Sequence, residues 1–389
     1  MTATWLYLVL CLTAGDWGFF GHRLINRVAV YTVPSEMIGW YKPYIDFLAE
    51  HAVDPDKRRY ATRHEAVRHY IDLDHWGELP FDHVPRQWDK ALALNLEMFT
   101  IQAGDTSYLL SAYPPMQWAD TLPDLDARLY IVRQFYRKQY YDEESTIPCD
   151  SLQRILADLS CSGGDKIYLS DAFSAHGIVP YHLMQMLYQL TKAFEDNNLS
   201  KVLRISAEFG HYVADASVPL HTTSNYNGQL TNQLGIHAFW ESRIPELFAL
   251  EEFDLVVGTA SYIHDPETYF WDIVLSSHRE VERVLSLEKE LSETYPSDQQ
   301  FCFDNRLNNI TRTQCADYAK AYDDAMNHMV EDRFRVAVKA VGDVWYTAWV
   351  NAGQPIAPGQ KTISLTSAED EQLNEAVQKG KKLGREHDN

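Results

Sequence analysis

Five side chains that could bind a divalent metal are concentrated in one stretch of the chain. They are His211, Asp215, His221, His237 and Glu241. His211 precedes Asp215 by four residues, and His237 precedes Glu241 by four, so each pair would lie on one face of a helix. An imidazole and a carboxylate one helical turn apart, repeated twice, suit a zinc-type site. The spacing therefore predicts a metal centre.

The elements that must position these ligands are predicted to be helices. Pro219 indicates that the helix carrying His211 ends about where His221 begins, because proline removes a backbone donor and restricts the residue before it. Apolar residues with helical spacing also mark residues 24–29, 35–51, 124–140, 181–195, 278–292 and 312–350. We find no alternating pattern joined by hairpin turns and no solenoid repeat. The sequence therefore predicts an all-α, compact multi-helix single domain.

Both ends of the chain differ from the rest in composition. Residues 1–16 are a short apolar run followed by small residues, which predicts a signal peptide, although a basic segment is missing and Asp16 is unusual at a cleavage edge. The run is too short to span a bilayer. After Pro355 aromatic residues are absent and charge dominates, so residues 356–389 are predicted to be a charged tail, docked on the surface or mobile. The domain is placed at residues 17–355.

The cysteines indicate an oxidising environment. Apart from Cys11, they fall into two local pairs, Cys149 with Cys161 and Cys302 with Cys315. Four cysteines allow three connectivities, and we favour these two pairs because each closes a short loop. Neither pair has the spacing of a zinc-thiolate site. The protein is therefore expected to be secreted, periplasmic or on the cell surface.

The composition limits the partners. With 389 residues, of which 46% are hydrophobic, the chain can bury a large core. Its formal charge of −21 opposes nonspecific binding to phosphate backbones. An anionic phosphate substrate would therefore need local positive charge, which metal ions can supply. Neither a stable membrane span nor a protein partner is predicted.

The amino-terminal half of the chain offers further ligands. The candidates are His22, His69 and either Asp54 or Asp56. If the signal peptide ends at residue 16, the free amino group and the carbonyl oxygen of Trp17 form a chelating pair five residues before His22. An α-amino group has a reference pKa near ~8, so a metal displaces its proton at modest cost.

Taken together, these motifs resemble a known superfamily. In chain order they are Trp-Gly-x-x-Gly-His starting at Trp17, Asp-x-x-Arg, His-Tyr-Ile-Asp, His-x-x-x-Asp with Pro-Leu-His, and His-x-x-x-Glu. In this order they resemble the bacterial zinc-dependent phospholipases C and the fungal single-strand-specific nucleases, over about residues 17–245. The resemblance implies an all-α phosphoric diester hydrolase that holds three zinc ions.

The resemblance also implies which residues hold each ion. Asp56, His69, His211 and Asp215 would hold the first zinc; the Trp17 amino and carbonyl groups, His22 and Asp215 the second; and His221, His237 and Glu241 the third. Asp215 would bridge the first two. Asp56 is chosen because Arg59 follows it by three residues as in the family motif, and Asp54 stays open as the alternative. Asp56 or a nearby carboxylate would orient or deprotonate the attacking water. Arg59 and Asp72 are expected to orient ligands.

The substrate is predicted less sharply than the chemistry. Glu241 and the short gap from His221 to His237 resemble the phospholipase branch, whereas the five-residue gap from Trp17 to His22 resembles the nuclease branch. We expect a phospholipid substrate, with single-stranded nucleic acid as the alternative. A third hypothesis is a catalytically silent, zinc-stabilised surface binding protein. No substrate-binding residue is assigned, since the aromatic side chains considered, Phe19, Phe20, Tyr226 and Trp240, suit stacked bases and lipid chains equally.

Overall fold

The computed structural model describes residues 19–102, 104–118, 122, 124–142, 144–153, 166–306, 309–359 and 377. The predicted signal peptide (1–16), Trp17, Cys161 and most of the predicted tail (356–389) lie outside these residues. The predictions that concern them are therefore not tested by the structure.

Helices form most of the described chain, as the apolar periodicity predicted. In chain order they are α1 (Phe19–Ala29), α2 (Ile38–Tyr41), α3 (Ile45–Glu50), α4 (Asp54–Arg58), α5 (Arg63–Ala66), α6 (Leu73–Trp76), α7 (Trp88–Asn95), α8 (Leu125–Gln134), α9 (Cys149–Leu152), α10 (Val179–Glu195), α11 (Leu199–Ala216), α12 (Ile236–Ala238), α13 (Ile244–Phe248), α14 (Pro266–His278), α15 (Val281–Thr294), α16 (Ala316–Met326) and α17 (Met329–Asn351). A π-helical segment, Phe239–Arg243, joins α12 to α13. No helix in the described part of the chain is long and apolar enough to cross a membrane.

The all-α prediction holds for most of the described chain, but it missed two small antiparallel sheets. The first has the order β2-β1-β4-β3 and the second is a hairpin. The strands are β1 (Leu96–Gln102), β2 (Asp105–Leu110), β3 (Ser145–Pro148), β4 (Lys166–Asp171), β5 (Phe301–Arg306) and β6 (Asn309–Gln314). The pairing register between β1 and β2 shifts between Met98 and Phe99. The apolar residues of β1 therefore do not alternate strictly, and the two-residue period of a strand is not visible in the sequence. The predicted helical region over residues 312–350 begins later than expected, since β6 reaches Gln314, and it consists of the two helices α16 and α17.

A disulfide bond links Cys302 and Cys315 and closes the β5–β6 hairpin, which confirms one of the two predicted pairs. Cys149 is also disulfide-bonded. Its predicted partner, Cys161, lies outside the described residues. A bridge of this kind restricts the unfolded chain and persists in oxidising compartments.

Helix α11 lies at the centre of the main hydrophobic core. It packs against α1, α3, α10 and α17. The Asn198 side chain accepts a hydrogen bond from the Lys201 backbone N–H at 3.1 Å and caps the first turn. The helix ends at Ala216, shortly before Pro219, as predicted. Because other helices cover much of α11, its polar side chains Ser206, His211 and Asp215 are buried.

The contact between α1 and α11 depends on a glycine. Asn26 in α1 donates to the backbone carbonyl oxygens of Leu48 and Ala207, each at 3.0 Å. A Cβ atom on Gly210 would overlap the Asn26 Oδ1 atom. Because glycine has no side chain, the two helices approach closely at this point. His22 lies one turn before Asn26 on α1, so the approach also brings His22 close to the part of α11 that follows Gly210.

Replacing Gly210 by alanine is therefore expected to destabilise the protein. Asn26 or all of α1 must move to admit the new methyl group, which costs about 2 kcal/mol or more through overpacking and lost hydrogen bonds. Urea unfolding of the purified variant measures this loss. Gly359→Ala serves as the control, because no atom lies within 4 Å of a Cβ at that position. Equal unfolding midpoints for Gly210→Ala and the wild type would show that the close approach does not constrain the helices.

Candidate metal centre

The predicted ligands that the structure describes lie in one connected cluster inside the helical core. They form three groups, whose members are His22, His211 and Asp215; Asp56, His69 and His211; and His221, His237 and Glu241. Within each group the nearest ligand atoms all lie within 4.8 Å of one another. The side chains of Asp56 and Glu241 are 17% and 13% exposed, and the other members are at most 5% exposed. The cluster therefore opens to solvent at these two carboxylates.

Asp215 lies between two of the groups. Its Oδ2 atom is 2.8 Å from His69 Nδ1 and 3.3 Å from His211 Nε2. Its Oδ1 atom is 3.4 Å from His22 Nε2 and 3.9 Å from His221 Nε2. The two oxygens of a single carboxylate thus face different imidazoles, which is the arrangement that a bridging ligand requires.

The first group combines residues that are distant in sequence. His69 Nδ1 is 3.1 Å from His211 Nε2, and Asp56 Oδ1 is 3.9 Å from each of these nitrogens. The ring of His211 also stacks on His22, with centroids 3.9 Å apart. His211 therefore belongs to two groups, and the close approach of α1 to α11 places His22 beside it.

The third group is built on two short segments. His221 lies in a turn of 3-10 helix, Pro219–Thr222, and Glu241 lies in the π-helical segment between α12 and α13. The Glu241 Oε2 atom is 2.6 Å from His237 Nε2 and 3.4 Å from His221 Nε2. Its Oε1 atom is 3.5 Å from His22 Nε2. Glu241 thereby connects this group to the rest of the cluster.

Backbone carbonyl groups orient three of the histidines. The Nδ1 atoms of His211, His221 and His237 lie 2.8, 2.7 and 2.9 Å from the carbonyl oxygens of Ala52, His69 and Tyr226, respectively. A carbonyl oxygen can only accept, so Nδ1 carries a hydrogen and Nε2 is the ring nitrogen that faces the cluster. This is the orientation in which a neutral histidine binds a metal ion. The residues present therefore fit a metal centre.

A carboxylate that was not predicted lies beside His69. Its Nδ1 atom faces the cluster, and its Nε2 atom lies 3.6 Å from Glu65 Oε1. Glu65 also accepts a hydrogen bond from the Tyr212 hydroxyl, and its Oε2 atom is 2.8 Å from Arg68 Nη1. The four-residue spacing from Glu65 to His69 is the signal in the sequence that could have identified it.

Charge complementarity stabilises the ionised carboxylates. Burial raises the pKa of Asp215, but the neighbouring imidazoles of His211 and His221 outweigh it, and the pKa lies well below its usual range. Burial likewise raises the pKa of Glu241, whereas hydrogen bonds from His22, His221 and His237 lower it well below its usual range. Both groups are therefore anionic at neutral pH, as metal ligands must be.

The structure separates the two aspartates left open by the sequence. Asp54 is 2.5 Å from His51 Nδ1 and 2.8 Å from Lys57 Nζ, outside the three groups, whereas Asp56 faces His69 and His211. Arg59 is buried, and its Nη1 atom is 3.6 Å from Asp56 Oδ1.

Two other side chains were considered for roles at the site. Asp72, expected to orient a ligand, has its Oδ2 atom 3.7 Å from His176 Nδ1. Trp240, considered as a stacking residue, is only 1% exposed and packs in the core, so it cannot stack on a substrate. Stacking would have to come from side chains that are more accessible.

The aspartates give a matched pair of variants. We expect Asp56→Asn to lower the content of bound divalent metal measured by elemental analysis, because it removes an anionic candidate ligand from the open edge of the cluster. Asp54→Asn should lower the unfolding temperature by breaking the contacts with His51 and Lys57 while leaving the metal content unchanged. The opposite pattern, with metal lost only in Asp54→Asn, would assign the ligand to Asp54.

No family model matches the chain, and its sequence matches no curated protein. The resemblance to zinc-dependent phosphodiesterases therefore depends on the motifs alone. The structure adds that the chain is a mainly helical body with three buried groups of His, Asp and Glu side chains, arranged as a multi-metal site would need.

Proposed function

We propose that the protein is a zinc-dependent phosphoric diester hydrolase of the phospholipase C type. The observation that supports this proposal is the sharing of Asp215 between groups of histidines whose Nε2 or Nδ1 atoms converge in the core. Nitrogen and carboxylate ligands without thiolates suit zinc in a catalytic site. Three such groups in one cluster suit the hydrolysis of a phosphodiester better than a single structural metal does.

Each ion is assigned to residues of this chain. The first zinc would be held by Asp56, His69, His211 and Asp215. The second would be held by the amino and carbonyl groups of Trp17, His22 and Asp215, and the third by His221, His237 and Glu241. Zinc ions bound there would lower the pKa of a water molecule and neutralise the phosphoryl oxygens of the substrate. The chain itself buries the ligands and orients their lone pairs.

Asp56 is assigned the role of orienting or deprotonating the attacking water. It lies at the open edge of the cluster, with its side chain 17% exposed, so it can meet both the core ligands and solvent. Burial raises the pKa of Asp56, but His211, His69 and Arg59 lower it below its usual value, so the group is an anion able to accept a hydrogen bond.

The electrostatics of the site require bound cations for an anionic substrate. Asp56, Asp215 and Glu241 put three carboxylates in the cluster, and the net charge of the chain is −21. A phosphodiester would be repelled by such a site in the absence of metal. Bound divalent ions reverse the local charge, which makes metal binding and substrate binding parts of one function.

Phospholipid is the substrate that we favour over nucleic acid. The segment between Asp215 and Glu241, residues 216–240, contains no Lys or Arg that could follow a phosphate backbone.

The disulfide bond between Cys302 and Cys315 supports a secreted, periplasmic or cell-surface location. The catalytic domain is assigned to residues 17–355, with 356–389 as a charged tail.

Replacement of Asp215 by alanine tests the proposed centre. Loss of the bridging carboxylate should release zinc and lower the rate of phosphodiester hydrolysis by at least about 10³-fold, because the attacking water and the phosphoryl charge would no longer be stabilised. Asp323→Ala is the control, since Asp323 is equally an aspartate of the helical core but lies outside the cluster. Full activity of Asp215→Ala would contradict the proposal.

A comparison of phosphatidylcholine with single-stranded DNA as substrates of the wild-type protein accompanies this test. Faster hydrolysis of phosphatidylcholine is expected. Faster hydrolysis of DNA would support the nuclease alternative. Bound zinc without turnover of either substrate would support the silent binding protein.

The second zinc gives a prediction about maturation. Mass spectrometry of the exported protein should find Trp17 at the amino terminus, because only then is its α-amino group available as a ligand. A protein that retains Asp16 before Trp17 should lose the second zinc while keeping the third, whose ligands are all side chains. A mature start at another residue would remove the amino ligand from the proposed site.

A further inference from the structure

The segment that joins the two halves of the cluster is uncharged. Residues 216–240 contain no Asp, Glu, Lys or Arg, although these four types make up 23% of the chain. This segment runs from Asp215 to Glu241 and contains His221 and His237. The segment beside the candidate metal centre therefore carries no charged side chain of its own in a strongly anionic protein.

Two leucines project from this neutral segment into solvent. Leu230 is 71% exposed and Leu234 is 66% exposed. A single exposed leucine is ordinary on a protein surface. Here two of them lie four residues apart, in a segment without charge, and Leu234 precedes the candidate ligand His237 by three residues.

Side-chain hydrogen bonds hold the loop in this conformation. The backbone N–H of Leu230 donates to Asn225 Oδ1 at 2.8 Å, and the N–H of Gly235 donates to Asn227 Oδ1 at 3.0 Å. The Gln233 amide donates to Leu285 O and to Glu288 Oε2 at 2.8 and 2.6 Å. Both asparagines are buried. Asn225 and Asn227 are thus turned inwards, whereas Leu230 and Leu234 are exposed together with Gln229 and Asn232.

The same loop is bonded to the cluster. The carbonyl oxygen of Tyr226 accepts the hydrogen bond from His237 Nδ1 at 2.9 Å. A surface that contacts Leu230 and Leu234 therefore binds next to a group of candidate metal ligands. Substrate molecules belonging to that surface would be presented close to the site.

We propose that Leu230 and Leu234 dock the protein on the net-neutral surface of a zwitterionic phospholipid assembly. This inference rests on the proposed function, because it specifies aggregated phospholipid as the form in which the substrate is met. Insertion of two leucines at the lipid interface removes apolar area from water. The charge of −21 excludes anionic lipid as the preferred surface, whereas the neutral loop matches a headgroup layer without net charge.

The zinc-loaded protein tests the proposal in three forms. They are the wild type, the double variant Leu230→Asn/Leu234→Asn, and the control Val256→Asn, which removes another apolar side chain that is 80% exposed. Co-sedimentation with vesicles of phosphatidylcholine or phosphatidylglycerol measures docking. Hydrolysis of phosphatidylcholine vesicles and of soluble bis(p-nitrophenyl) phosphate measures activity.

We expect the wild type and the control to bind phosphatidylcholine vesicles in preference to phosphatidylglycerol vesicles. The double variant should bind roughly tenfold more weakly and hydrolyse vesicles correspondingly more slowly, because two apolar side chains no longer enter the interface. Its rate on the soluble diester should stay within about twofold of the wild type, since the substituted side chains are not ligands.

Three outcomes would overturn docking by the leucines. They are equal vesicle binding by the double variant and the wild type, an equal loss of activity on the soluble diester, and a wild-type dimer that the double variant cannot form, which would make the surface a contact between two copies. Failure of the proposed function is a separate result: the protein would bind vesicles but hydrolyse neither substrate.

Discussion

The Asp215 carboxylate, buried in the centre of the helical core, is the constraint on which the rest of the site depends. An isolated buried charge costs several kcal/mol, so the fold must bring compensating groups to both of its oxygens. His69 and His211 contact one oxygen, and His22 and His221 lie on the side of the other. These histidines come from four separate segments of the chain. The position of α11 therefore determines where α1, the segment after α5 and the turn after Pro219 must lie.

Orientation of the ligands is a property of tertiary structure. His211 is fixed by the carbonyl oxygen of Ala52, and His221 is fixed by the carbonyl oxygen of His69. The backbone of one candidate ligand thus orients the side chain of another, which connects the first group to the third. A displacement around His69 would rotate His221 as well. The three groups consequently behave as one structural unit, in which the packing of helices and the chemistry of the ligands cannot be separated.

The sequence predicted the features that follow from local spacing. The pairs His211 with Asp215 and His237 with Glu241 do lie on single helical faces, because a four-residue offset is sufficient for that. Local spacing offers Glu65, four residues before His69, as a candidate, but its place beside the site depends on a contact with Tyr212 from a distant part of the chain. Local spacing also could not decide whether Asp54 or Asp56 is the candidate ligand. The direction of the Asp54 side chain is set by its contacts with His51 and Lys57.

The errors in the fold have equally physical causes. The bulge in β1 displaces the apolar residues from strict alternation. Met98 and Leu96 of β1, which pairs with β4, are buried in a second hydrophobic cluster. Trp240 was a plausible stacking residue by type, but the helical turn that directs Glu241 into the cluster directs its neighbour into the core. Contacts between residues distant in sequence decide how such side chains are oriented, and these contacts produce no periodic pattern in the sequence.

The distribution of charge connects the site with the surface around it. An anionic chain with three carboxylates in its cluster repels a phosphodiester, and under the proposed function cations held by those carboxylates would supply the attraction. The neighbouring neutral segment adds no repulsion of its own. The proposed function would thereby confine attraction to the metal centre. A phosphodiester in neutral surroundings would then be selected over a polyanion, which the rest of the acidic surface repels.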